Sequence, residues 1–140
     1  IVIAEKIDGV IYIKAAEEYD RPSPSDMVDH LVHLSKTWKM VAVDDTSPGL
    51  IKELIGSNVE IRKVSFRRDL SNMTITAASY VRQRRVRIHP KFTQLISQLK
   101  SVRFNDAGHP DKSVLSFDLG DAFLMAIQKI ESSDWFWVRF

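Results

Sequence analysis

At 140 residues, with 44% hydrophobic and 27% charged side chains, the chain has the length of one domain and an ordinary globular composition. Its formal net charge is only +2, from 20 basic and 18 acidic side chains, so only local charge patterning can speak to partners. The lack of cysteine excludes a disulfide framework and thiolate metal sites, and no apolar run nears the roughly 18–20 residues of a membrane span.

The chain opens on Ile1 rather than Met, directly in a strand-like run, and so reads as a fragment. Its first apolar stretch is broken by Glu5, Lys6 and Asp8, unlike a signal peptide. Ile1-Val2-Ile3-Ala4 and Val10-Ile11-Tyr12-Ile13 flank Asp8-Gly9, which predicts a hairpin with a two-residue turn. A polar, Pro-rich link from Arg21 to Ser25 follows. Ser23, Pro24 and Asp26 then give the cap, first-turn proline and capping-box acid of a helix running to about Trp38. Met40-Val41-Ala42-Val43 reads as a strand buried on both faces and ends on Asp44-Asp45. Ser47-Pro48 starts a second helix with Leu50, Ile51, Leu54 and Ile55 inward, closed by Gly56.

Val59, Ile61 and Val64 predict another strand, and a helix follows from about Ser71 to Gln83. Val86-Arg87-Ile88 is a brief strand. Pro90 opens a helix carrying Phe92, Leu95, Ile96 and Leu99, Asn105 to Lys112 is a loop, and a last helix runs from about Phe117 to Glu131. The order predicts a single α/β domain, residues 1–140, with an antiparallel hairpin at one side of a mixed sheet and parallel strands at the other, flanked by helices. Residues 1–131 form its core. The aromatic tail, residues 132–140, is expected to pack back on it, since so much exposed apolar surface usually marks an interface.

Three groups of residues could carry chemistry. Asp118 and Asp121 stand three apart at the start of an apolar helix, on one face. Two like charges so close are costly unless a cation or water screens them. A helix N-terminus also stabilises acids through its dipole, and the residues alone leave both uses open. Asp44 ends the buried strand, where ligands bind in open α/β sheets, although Asp44 or Asp45 could equally cap the next helix or satisfy loop amides. Asp45 is the second choice, because neighbouring strand residues face opposite ways. The basic residues Arg82, Arg84, Arg85, Arg87 and Lys91, with Arg67 and Arg68 nearby in sequence, suit either phosphate neutralisation or a solvated helix end. His30 and His33 share a helix face without a third ligand. No Gly-rich phosphate loop is present.

The order of hairpin, helix, acid-ended strand, helix, strand and a late helix opening Asp-x-x-Asp-Ala resembles the ribonuclease H-like superfamily, its terminase and resolvase branches in particular. Arg84-Arg85-Val86-Arg87-Ile88-His89-Pro90 leading to Leu95-Ile96-Ser97-Gln98-Leu99 resembles terminase large-subunit nuclease domains. So does Gly108 to Lys112 leading into Asp118-Leu119-Gly120-Asp121-Ala122.

The resemblance implies a metal-dependent endonuclease acting on double-stranded DNA during viral genome packaging, in the cytoplasm of a host. Asp44, Asp118 and Asp121 would match acids of a two-metal Mg²⁺ or Mn²⁺ site, with ions about 3.5–4 Å apart, and Lys112 would steer a phosphate or the attacking water. It also implies an upstream ATPase domain and a portal-type partner, and a first strand, bearing a further aspartate, upstream of this chain, without which the fragment is expected to bind metal weakly and cut poorly. Two alternatives remain: a Holliday-junction resolvase or transposase-like nuclease, and a non-catalytic ribonuclease H-like module that binds nucleic acid or protein.

Overall fold

The computed structural model describes residues 1–20, 22–38, 40–104, 110–111 and 117–138, without the side chains of 103, 104, 110 and 132–138. The chain divides into two compact units, one of Ile1–Glu18 with Leu70–Phe140, the other of Tyr19–Asp69.

In the first unit, β1 (Val2–Ile7) and β2 (Val10–Ala16) pair antiparallel from Val2↔Ala16 to Ile7↔Val10, with a register shift between Ile3 and Ala4. Asp8 and Gly9 hold φ of 50° and 78°. Positive φ at both turn residues is what a type I′ hairpin turn needs, and Asp-Gly tolerates it. β2 pairs parallel with β5 (Val86–Ile88), Ile11 opposite Val86 and Ile13 opposite Ile88, giving a mixed three-stranded sheet ordered β1-β2-β5. Ile11 and Ile13 are buried, while Tyr12 and Lys14, which alternate with them, are exposed, as a strand period of two requires.

Helix α3 (Phe66–Arg82) begins in the second unit and continues through the first. In the first unit, α4 (Thr93–Ser101) packs against α5 (Asp118–Val138), which also packs on β1. Met73, Ala77, Tyr80, Leu95, Leu119, Phe123 and Ile127 join the two isoleucines in this core. The sequence placed the α3 start at Ser71 and that of α4 at Pro90. The polar first turn Phe66-Arg67-Arg68-Asp69 carries no apolar period, but the Ser65 carbonyl accepts the Arg68 and Asp69 N–H groups and so begins α3 there. Residues after Pro90 form a turn closed by Phe92 N–H to His89 O at 3.0 Å before α4 begins. β6 (Arg103–Phe104) and β7 (Pro110–Asp111) pair antiparallel, and β7 falls within the segment expected to be a loop. The α5 backbone runs on through the tail to Val138; how the tail's side chains pack lies outside the described residues.

In the second unit, α1 (Pro24–Ser35) is capped as its sequence predicts. Ser23 Oγ accepts the Asp26 N–H at 3.1 Å and donates to Asp26 Oδ2 at 2.6 Å. β3 (Val41–Asp44) and β4 (Ile61–Val64) pair parallel through α2 (Pro48–Gly56), which packs on α1. Val43 and Val64 are buried, whereas Val41 and Ala42 are only half-buried. The expected double-sided burial of β3 is therefore incomplete; among the described residues its one strand partner is β4. The α2 helix ends in a Schellman turn: Asn58, at φ 59°, donates to Ile55 O, and Val59 donates to Leu54 O, both at 3.0 Å. Asparagine takes the left-handed position, and Val59 belongs to this stop rather than to β4.

Candidate metal and nucleic-acid site

Asp118 and Asp121 are both on the first turn of α5, the first exposed and the second half-buried with its Oδ1 shielded from solvent. At this spacing their Cβ atoms lie about 5–6 Å apart on one helix face. The turn is built by Phe117, whose carbonyl accepts the Asp121 N–H at 2.7 Å and whose ring is buried. A Cβ on Gly120 would stand 2.3 Å from that ring, so only glycine fits beneath it. Gln98 of α4 accepts the Gly120 N–H at 3.1 Å and donates to Glu18 at 2.7 Å. In the sequence Gln98 stands only as one member of the Leu95–Leu99 run and Glu18 as a strand-end acid, and neither residue type by itself matches a ligand motif.

Asp44 ends β3 in the second unit. Its Oδ1 accepts the Thr46 N–H at 3.0 Å and its carbonyl accepts the Ser47 N–H at 3.1 Å, a turn that leads into α2. Loop-amide satisfaction is thus a role that Asp44 fills. Asp45 is exposed, and its N–H reaches Val64 O at 2.8 Å. Among the described residues, no group of three or more His, Cys, Asp or Glu is placed to hold a metal ion. The first unit contributes the α5 pair. Two carboxylates fit Mg²⁺ or Mn²⁺, hard ions that often bind through one or two protein carboxylates while keeping waters. Lys112 lies outside the described residues.

The basic cluster divides by role. Arg85 is tied into the fold: its guanidinium lies 4.5 Å from the Tyr80 ring centroid, and it donates to Gly9 O at 2.7 Å and Gln83 Oε1 at 3.0 Å. Strand alternation would have set Arg85 beside Arg87. Instead Arg85 precedes β5 in a helix-stop turn and reaches the buried Tyr80. Arg87 is exposed, opposite Tyr12 in the strand register, and donates to Arg84 O at 2.7 Å. Arg82, Arg84 and Lys91 are also exposed.

Arg84 has φ 56° and occupies the left-handed position of a Schellman turn, with Arg84 N–H to Val81 O at 3.0 Å and Arg85 N–H to Tyr80 O at 2.9 Å. An arginine there carries a backbone cost that glycine would avoid. In the second unit Arg68 bonds Asp69 at 3.2 Å, and that carboxylate raises the guanidinium further above its ordinary pKa. His30 meets Tyr19 Oη at 2.8 Å, which gives it a partner other than a metal.

Tyr80 Oη donates to Glu131, whose carboxylate also lies 3.7 Å from Lys6 Nζ. This contact fastens α5 to β1 and α3 and so fixes the helix that carries the acid pair. A cleft of about 500 Å³ in the same unit is lined by apolar groups such as Val81, Ile88, Leu99 and Phe123. Its size falls within the range of ligand pockets. Among the described residues Lys100 is the one charged residue in its lining, and no carboxylate faces it, so the acids on α5 lie outside this cleft. Among the described residues no helix is long and apolar enough to cross a membrane. No protein-family model, curated protein or solved structure matches the chain.

Proposed function

We propose that this chain is a ribonuclease H-like, divalent-metal-dependent endonuclease domain that cleaves DNA, of the kind found in terminase large subunits. The observation that carries the reading is the pair Asp118 and Asp121 on the first turn of α5, held there by contacts from α4 and the Phe117 ring. The mixed sheet and its alternation with helices support the fold part of the reading. Asp118 and Asp121 would hold Mg²⁺ or Mn²⁺ through oxygen. Such an ion supplies Lewis-acid polarisation of the phosphodiester and lowers the pKa of bound water. Exposed Arg82, Arg84, Arg87 and Lys91 would neutralise DNA phosphates without reading sequence, while Arg85 braces the turn that presents them.

The test is plasmid nicking in Mn²⁺. The unaltered chain should nick, and Asp118→Ala and Asp121→Ala should each lower the rate at least ~100-fold, because each removes a ligand from the metal clamp. Unchanged cutting by both variants would overturn the site.

A second reading, a non-catalytic ribonuclease H-like binding module, draws on one observation: among the described residues the acids do not form a group of three. Retained DNA binding with no Mn²⁺-dependent cutting would favour it.

A further inference from the structure

We infer that Gln98 is a positioning residue for the acidic turn of α5, an inference that rests on the metal-site reading above. The first N–H groups of a helix have no intrahelical acceptor, and a Ser, Thr or Asp at the N-cap normally serves the N–H of the second or third helical residue. Here the N-cap is Phe117, whose side chain cannot accept. Its ring instead lies over Gly120, so close that even a Cβ would stand 2.3 Å from it. The Gly120 N–H, third in the helix, is served from α4 by Gln98 Oε1 at 3.1 Å.

The other end of the same amide is committed too. Gln98 Nε2 donates to Glu18 Oε1 at 2.7 Å, just beyond the end of β2. A carboxylate on one side and an N–H on the other leave one orientation for the amide, oxygen toward Gly120. One side chain therefore registers the Asp118–Asp121 turn against α4 and the end of β2. Groups that orient metal ligands without touching the metal commonly contribute about 10–100-fold to its affinity.

The experiment measures Mn²⁺ affinity of the 140-residue chain from loss of the free-ion EPR signal, well below the melting temperature, with melting followed in parallel. Gln98→Met keeps the side-chain length and removes both hydrogen bonds; it should weaken Mn²⁺ binding about 10-fold. The exchange variant, Gln98→Glu with Glu18→Gln, restores an acceptor for Gly120 and a donor–acceptor pair at the same net charge, and should bind within about 3-fold of the unaltered chain. Lower melting of Gln98→Met with unchanged Mn²⁺ affinity would overturn the inference, leaving Gln98 a structural cap. So would an exchange variant that folds yet binds about 10-fold more weakly. If the unaltered chain binds no Mn²⁺, or binds it equally well after Asp118→Asn with Asp121→Asn, the metal-site reading itself fails. The two failures are thereby told apart.

Discussion

Arg84→Gly should make the protein more stable and a poorer DNA binder in one step. Arg84 holds φ 56° in the stop signal of α3, a conformation that costs an L-residue about 1–2 kcal/mol. Glycine carries no such cost but loses more backbone entropy on folding, about 0.5–1 kcal/mol. The difference leaves a gain of roughly 0.5–1 kcal/mol, or about 2–5 °C in Tm for a chain of this size. The turn uses the backbone N–H and carbonyl of Arg84, and glycine keeps both. On the proposed DNA-binding role, removing Arg84 as a phosphate-neutralising cation should reduce the slope of log K against log salt by about 1. Arg84→Ala is the control: it removes the same charge but keeps the left-handed strain, so it should match glycine in DNA affinity and the unaltered chain in stability. Urea denaturation and fluorescence anisotropy at several salt concentrations read the two effects. Equal stability of the glycine and alanine variants would refute the strain argument. An unchanged salt slope in both would refute the phosphate role.

Two further predictions concern the anchoring of α5. Gly120→Ala should destabilise by about 1–3 kcal/mol in urea denaturation, because the buried Phe117 ring must move out of contact distance; a neutral or stabilising result would mean that the ring yields freely. Tyr80→Phe should cost about 1–2 kcal/mol through loss of the hydrogen bond to the Glu131 carboxylate, with slowed hydrogen exchange of α5 amides lost in the variant.

The parts of this fold that were legible in the sequence are those where a local requirement names its residue. Asp8-Gly9 supplies two positive-φ positions in a row, and Ser23-Pro24 with Asp26 supplies cap, proline and acid in the order a helix start needs. Where a less usual residue meets the requirement, reading failed: Asn58, not Gly56, turns the chain after α2, and Arg84 does so after α3. The α3 start was missed because its first turn is polar, although the Ser65 carbonyl and Asp69 mark it. The acid pair was legible because Asp118 and Asp121 are three apart on a helix. Gln98 was not, because its meaning comes from partners 22 and 80 positions away. Charge counting groups Arg85 with its neighbours, but the Tyr80 ring and a carbonyl 76 positions away decide what it does.

Paramagnetic broadening by Mn²⁺ tests most directly whether the α5 acids hold the ion. In a ¹⁵N-labelled chain at substoichiometric Mn²⁺, amide signals of Leu119, Gly120, Asp121 and Ala122 should broaden first, and the effect should vanish in the Asp118→Asn, Asp121→Asn double variant. Broadening centred elsewhere, or persisting undiminished in that variant, would contradict a metal site on the first turn of α5.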